Sequence, residues 1–291
     1  MGTQALEPHL LIEVDPDHYL PDITLKRQLL EEDHSTYFRG SLETLPLQWE
    51  TLELLLPIMA QRYPDFFVLT LRGSSWRWQN KLLAQTTEFT LGDTTSLPLA
   101  PLDWLGRQIQ EDLLILDDDP NRGMPLVAGQ LCFPNDWCLD DKLGQSFLTI
   151  HQPVPLLEEQ IGRSCMLLLE RLKIGRPVWR TNWAFKTTSR LNLTPYFVEE
   201  QRQNCQQITS DTIGERCLLR MERQTLSRLP RTRGILFTVH TYQAPICEEV
   251  HTREHVQRMI NVLETTPESM KRYKSIQAFY EPLIAYLQAQ L

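Results

Sequence analysis

The sequence predicts an α+β protein: a central antiparallel or mixed sheet flanked by helices, with helical segments at both ends of the chain. Three observations predict it. Apolar residues recur at helical spacing near both termini, β-branched and aromatic runs punctuated by Gly and Pro occupy the middle, and two strand-like runs late in the chain face each other across a polar turn.

Taken in order, Thr24–Asp33 places Leu25, Leu29 and Leu30 on one helix face, and a second helix is expected over about Leu47–Arg62, stopped by Pro64. Phe66–Leu71, Gly73-Ser-Ser and Trp76-Arg-Trp read as strand, turn, strand. Leu102–Leu116 returns to helical spacing through Trp104, Leu105, Ile109, Leu113 and Leu114, and Asp117–Gly123 is a polar turn. Leu126–Leu139 reads as a strand interrupted at Phe133–Asp136. Asp140 is expected to cap a short helix through Lys142 and Phe147 that leads into His151. Leu156–Lys173 reads as an amphipathic helix closed by Gly175, Pro177–Phe185 as a strand, and Lys186–Gly214 as a polar stretch. Cys217–Thr225 and Gly234–Tyr242 form a hairpin around Ser227–Arg233. Thr252–Leu291 is helical, with Thr266 capping a helix that begins at Pro267.

The chain has 291 residues, of which 42% are hydrophobic and 23% charged, enough to bury a sizeable core. Its formal charge of −8 argues against partners that need a basic surface, so neither nucleic acid nor membrane is expected. Met1–Pro8 lacks the basic start and apolar run of a signal peptide, and runs such as Met166–Leu169 are too short to span a bilayer. The six cysteines are scattered, and a cytoplasmic location is expected. With 12 glycines and no Gly-rich phosphate loop or Gly-x-Ser-x-Gly, no nucleotide cofactor is indicated.

His151 is the leading candidate for chemistry. Pro153 and Pro155 fix their own φ and push Gln152 and Val154 towards extended backbone, so the histidine ends a short helix against a stiff segment. That suits a pre-aimed metal ligand; the plainer alternative is a histidine bonded to a backbone carbonyl at a helix end. Cys247, His251 and His255, spaced four apart, could share a helix face and chelate zinc, although a solvated face is the simpler account. In Arg220–Arg231, strand alternation puts Arg220, Glu222 and Gln224 on one face and Met221, Arg223 and Thr225 on the other. Glu222 among arginines is either a surface ladder or a carboxylate placed to bind a small cation such as an amine.

Several uncommon runs then occur in one order: Gln110-Glu-Asp-Leu-Leu-Ile-Leu; Ala128-Gly-Gln-Leu-Cys-Phe-Pro-Asn-Asp-Trp through Lys142-Leu-Gly to Ile150-His-Gln-Pro-Val-Pro; Arg180-Thr-Asn-Trp; and Arg220-Met-Glu-Arg-Gln-Thr-Leu-Ser-Arg-Leu-Pro-Arg with Ile235-Leu-Phe-Thr. With Lys26-Arg-Gln-Leu-Leu, the chain resembles the haem-binding α subunit of the haem-dependent oxidative N-demethylases over roughly residues 15 to 275. The resemblance implies a PAS-like sheet and helices that bind haem b, with dioxygen activated to oxidise a small secondary amine and formaldehyde released from its N-methyl group. Electrons would come from a separate flavin and iron–sulfur reductase. It implies His151 as the axial iron ligand, Glu222 as the carboxylate for the ammonium group, and Arg180, Asn182, Arg220 and Arg223 as contacts to propionates or to the oxygen side. It also implies an organisation of N-terminal helical segment 1–62, PAS-like haem-binding core 63–250 and C-terminal helical segment 251–291, all in one compact domain. The chain departs from the family pattern at His240, where that pattern carries arginine, and around Tyr37-Phe-Arg-Gly-Ser-Leu. A haem-binding gas or redox sensor without turnover, or an adaptor that has lost haem, are the other functions such a scaffold could serve.

Overall fold

The computed structural model describes residues 2–155 and 162–291. Its strands are β1 (Gln4–Ala5), β2 (Phe38–Arg39), β3 (Phe67–Arg72), β4 (Ser75–Asn80), β5 (Gln85–Thr90), β6 (Asp112–Leu116), β7 (Leu126–Gln130), β8 (Val178–Lys186), β9 (Leu218–Arg228) and β10 (Ile235–Pro245). Seven of them make one antiparallel sheet in the order β1-β8-β9-β10-β6-β7-β2, and β3-β4-β5 make a separate meander. The fold is α+β.

Helices α1 (Pro16–Glu32), α2 (His34–Tyr37) and α3 (Leu45–Arg62) precede the meander, and α4 (Pro101–Gly106) follows it. Leu52, Leu55 and Leu56 of α3 pack with Phe67, Trp78 and Phe89 of the meander in one hydrophobic cluster. The next helices are α5 (Phe147–His151), α6 (Arg163–Arg171), α7 (Val198–Gln206), α8 (Ile213–Arg216) and α9 (Ile246–Glu249). The chain closes with α10 (Arg253–Thr265), α11 (Glu268–Tyr273) and α12 (Tyr280–Ala289), which pack Val256, Leu263, Leu283 and Leu287 against Phe185, Ile213 and Cys217. Among the described residues no helix is long and apolar enough to cross a membrane.

The β9–β10 hairpin forms as expected but runs further, in register from Leu218↔Pro245 to Arg228↔Ile235. At its turn Gly234 lies so close to the α3 side that a Cβ would meet Leu47 Cδ2 at 2.3 Å, so any larger residue would have to displace the Leu47 side chain.

Elsewhere the structure corrects the expected elements. Leu102–Leu116 is not one helix: α4 ends at Gly106, and Asp112–Leu116 is a strand between β10 and β7 with every residue buried. A strand covered on both faces is apolar throughout, so leucines that fit helical spacing fit it equally well. Leu126–Leu139 is strand only to Gln130, after which the backbone N–H groups of Cys132 and Phe133 turn to the carboxylate of Asp112, each at 2.8 Å. Ser146, not Asp140, caps the helix that ends at His151, and Asp140 pairs instead with Arg39 at 2.7 Å. Of the helix expected over Leu156–Lys173, residues 156–161 lie outside the described ones, and α6 accounts for the remainder up to Arg171. The polar stretch after Lys186 contains α7, and Pro267 rather than Thr266 holds the cap position of α11.

Candidate functional site

Antiparallel register decides which side chains meet. Between β8 and β9, Arg180 lies opposite Gln224 and Asn182 opposite Glu222. Side chains alternate, so these four share one sheet face. The same face continues through the cross-strand row Val178–Leu226–Phe237. All three of these apolar residues are half-exposed although their strands lie inside the sheet. Phe147 and Ile150 of α5, with Met166, Leu169 and Leu172 of the α6 region, stand against that face in one hydrophobic cluster. Val178, Trp179, Arg180, Gln224, Leu226 and Phe237 line a shallow cleft there.

From Arg180 and Gln224 at the edge of this cleft a continuous relay runs on to Glu222. Arg180 Nε donates to Gln224 Oε1 at 2.8 Å, and Gln224 Nε2 donates to Glu222 Oε2 at 2.9 Å. From the other side Asn182 Nδ2 donates to the same Glu222 Oε2 at 3.2 Å, and Lys274 Nζ donates to Asn182 Oδ1 at 3.3 Å. Arginine and lysine carry donors only, so each cation fixes its amide with the oxygen outward and the N–H groups towards Glu222. Burial lowers the pKa of Lys274 to about 8 despite the nearby charge of Glu222.

His151 ends α5, whose first turn is held by the Ser146 side chain accepting from Thr149 N–H. Its Nδ1 lies 2.8 Å from the Phe147 carbonyl, and its ring centroid is 4.3 Å from that of Phe147. A carbonyl can only accept, so Nδ1 carries the proton and the neutral ring keeps its lone pair at Nε2. Burial pushes the pKa down to about 4, and the charges of Lys142 and Arg180 act in the same direction. Lys142, over the Trp137 ring at 3.9 Å, is itself lowered by burial to about 8.

This donor set fits a haem. An imidazole held neutral, with one nitrogen anchored on a carbonyl and the other open, is the state iron ligation requires. The half-exposed apolar row offers a surface for a flat apolar macrocycle. Lys142 and Arg180, within electrostatic reach of His151, supply positive charge suited to its two propionates.

The expected site residues do not all converge. Glu222, Arg180 and Asn182 meet in the relay. Arg220 shares their face but is fully buried, its guanidinium donating to the carbonyls of Leu191, Phe133 and Pro134, with Nε 3.7 Å from Glu222 Oε1. Arg223 points through the other face, donating to the carbonyls of Leu10 and Leu11 and pairing with Glu13 at 3.3 Å. The structure brings neither to the cleft, because guanidinium groups buried at these depths need fixed acceptors and backbone carbonyls supply them. His240 is also on the opposite face, buried, with Nδ1 3.2 Å from Glu111 Oε1 and its ring stacked on Tyr242. Thr252 caps α10, leaving His251 outside the helix that carries His255 and dissolving the shared face. Among the described residues no group of three His, Cys, Asp or Glu side chains could hold a metal ion; a haem iron needs no such group, since the porphyrin supplies most of its ligands. Lys142 and Lys274 were not legible as site residues. Each is one lysine among ordinary surface-like neighbours, and only the tertiary packing brings it to the cleft.

A family model for the haem-dependent oxidative N-demethylase, alpha subunit-like proteins matches residues 2–284. The chain belongs to that family.

Proposed function

We propose that this chain is the haem-binding subunit of an oxidative N-demethylase, acting on a small secondary amine with electrons from a separate flavin and iron–sulfur reductase. The observation that carries the proposal is His151: neutral, anchored through Nδ1 on the Phe147 carbonyl with its lone pair at Nε2, and within electrostatic reach of Arg180, the first donor of the Glu222 relay. The α-subunit-like membership supports a partner protein, and a cytoplasmic setting and a PAS-like core belong to the same reading.

In this reading His151 Nε2 would hold the iron of haem b, and Lys142 and Arg180 would hold its propionates. When bound, the haem supplies the redox chemistry, the reductive activation of dioxygen for oxidation of an N-methyl group. The chain's own residues then do the positioning. Glu222, its Oε2 held by two amide donors and its Oε1 3.7 Å from Arg220 Nε, is the carboxylate that would take the ammonium group of the amine. Gln224 and Asn182 hold that carboxylate in one orientation, so the substrate meets a preorganised acceptor and not a mobile one. The apolar row Val178, Leu226 and Phe237 would hold the apolar body of the macrocycle. Arg220 and Arg223 brace β9 from its two faces and touch neither ligand.

Purification from haem-supplemented cells and a visible spectrum test this. A Soret band is expected in the wild type, and His151→Ala should abolish or greatly shift it; an unchanged band would reject the ligand assignment. Dimethylamine should perturb the wild-type spectrum, and Glu222→Gln should remove that response. Haem binding with no amine response in the wild type would instead indicate a sensor.

A further inference from the structure

We propose that Lys274 is a positioning residue for Glu222: it turns the Asn182 amide so that an N–H, and not the carbonyl, meets the carboxylate. This rests on the reading of Glu222 as the ammonium-binding group.

Lys274 arrives from far along the chain. β1 pairs with Val178 and Trp179, and among the described residues no strand pairs with the rest of β8 along that edge. Lys274, immediately after α11, reaches this edge and donates to the Trp183 carbonyl at 2.5 Å, with its Nζ 4.5 Å from the centre of the Trp183 ring. Its place is set by the turn that follows, where Ser275 takes a left-handed φ of 57° and Ile276 is fully buried. Anchored at these points, its remaining contact is Asn182 Oδ1.

The consequence follows from donor and acceptor types. An Asn amide has two nearly equal faces, and without Lys274 the carbonyl face could turn to Glu222, setting two acceptors against each other. Gln224 is protected from the same error by Arg180 on the opposite flank. The carboxylate thus sits between two amides, each oriented by its own cation.

The charged and titratable groups facing Lys274 are Glu222 on β9, Arg180 and Lys186 on β8, and the adjacent Tyr273; Lys186 is itself paired with Asp136 at 2.5 Å. Glu222 favours the ammonium form, whereas burial and the two cations oppose it, which places its titration at about 8. As pH rises through that value the charge is lost and the hold on Asn182 weakens. Simple alkylammonium groups titrate at about 10, so the ligand stays charged over this range.

Dimethylamine titrations followed by the Soret shift of the haem-loaded protein test this, run from about pH 7 to about pH 9. Wild-type affinity should fall through about pH 8. Lys274→Met should weaken binding about tenfold at the lower pH and shrink the inflection to what Lys142, also lowered to about 8, contributes, with haem affinity unchanged. Lys274→Arg should restore affinity with the same shallower profile, since guanidinium does not titrate there. Unchanged affinity and profile in Lys274→Met, or the full wild-type inflection in Lys274→Arg, would overturn the proposal. A second readout needs neither haem nor amine. The side-chain amide resonances of Asn182, assigned with Asn182→Asp, should move in Lys274→Met and return in Lys274→Arg. If wild-type protein shows no amine response, the amine reading fails, while immobile Asn182 resonances would separately dismiss Lys274.

Discussion

Three arginines of β9, at positions 220, 223 and 228, are buried and spend their donors mostly on backbone carbonyls. Arg228 is the most committed. It donates to the carbonyls of Leu169, Leu172 and Arg233 and to Asp118 at 2.5 Å, and so ties the end of α6 to the sheet. Replacing it with methionine keeps much of the apolar stem but leaves those acceptors without partners. Arg228→Met should therefore lower stability by about 3 kcal/mol, read as a shift in the urea midpoint. A shift of a few tenths would show that water replaces the guanidinium at no cost. Sequence alternation correctly separated Arg223 from Glu222 by face. It could not separate Arg220 from Arg180, which share a face and differ only in depth and in what lies above them.

At the scale of elements, α5 carries most of the functional reading and is only five residues long. So short a helix has little stability of its own, and its orientation depends on the Ser146 cap at one end and on the turn from the Val154 N–H to the His151 carbonyl at the other; Gln152, expected to be extended before Pro153, is helical at φ −52° and ψ −35°. Ser146→Ala should cost about 1 kcal/mol, and because that loss falls on the turn that aims His151, haem affinity should drop several-fold with an otherwise intact fold. A haem titration with an unchanged midpoint would show that the turn after His151 alone holds the histidine. The β9–β10 hairpin was legible because period-2 runs flank a polar turn. β6 was not, since five consecutive buried residues carry no period that distinguishes strand from helix.

Across the whole molecule, a half-buried histidine on α5 and a fully buried carboxylate beside β6 have pH responses of the same sign. His151 titrates at about 4 in the folded chain against an ordinary 6.5, so as pH falls through this window the unfolded chain takes up a proton first and stability drops. Beside β6, His240 and the Glu13 N–H hold the Glu111 carboxyl below its ordinary 4.5 against the opposing effect of burial. Its contribution is present above 4.5 and is lost as pH falls through its folded value. Asp112 is pushed up by burial and opposes this in the lower range. The haem-free protein should therefore lose melting temperature from about pH 6.5 downward. His151→Asn should flatten the upper part of that decline, between about pH 6.5 and about pH 4.5. A wild-type melting temperature that stays level across that interval would contradict the neutral, half-buried imidazole.

The local chemistry of the chain was sufficient for the α+β class, the hairpin and the alternation around Glu222. Each of these depends on neighbours within a few residues: turn formers and side-chain period. The cleft itself depended on pairings between distant segments. Asn182 meets Glu222 only through the β8–β9 register, and Lys274, just after α11, reaches Asn182 across 92 positions. No local pattern encodes such a contact, because it is fixed by how much apolar surface the C-terminal helices bury against Phe185 and Ile213, and not by the residues beside the lysine.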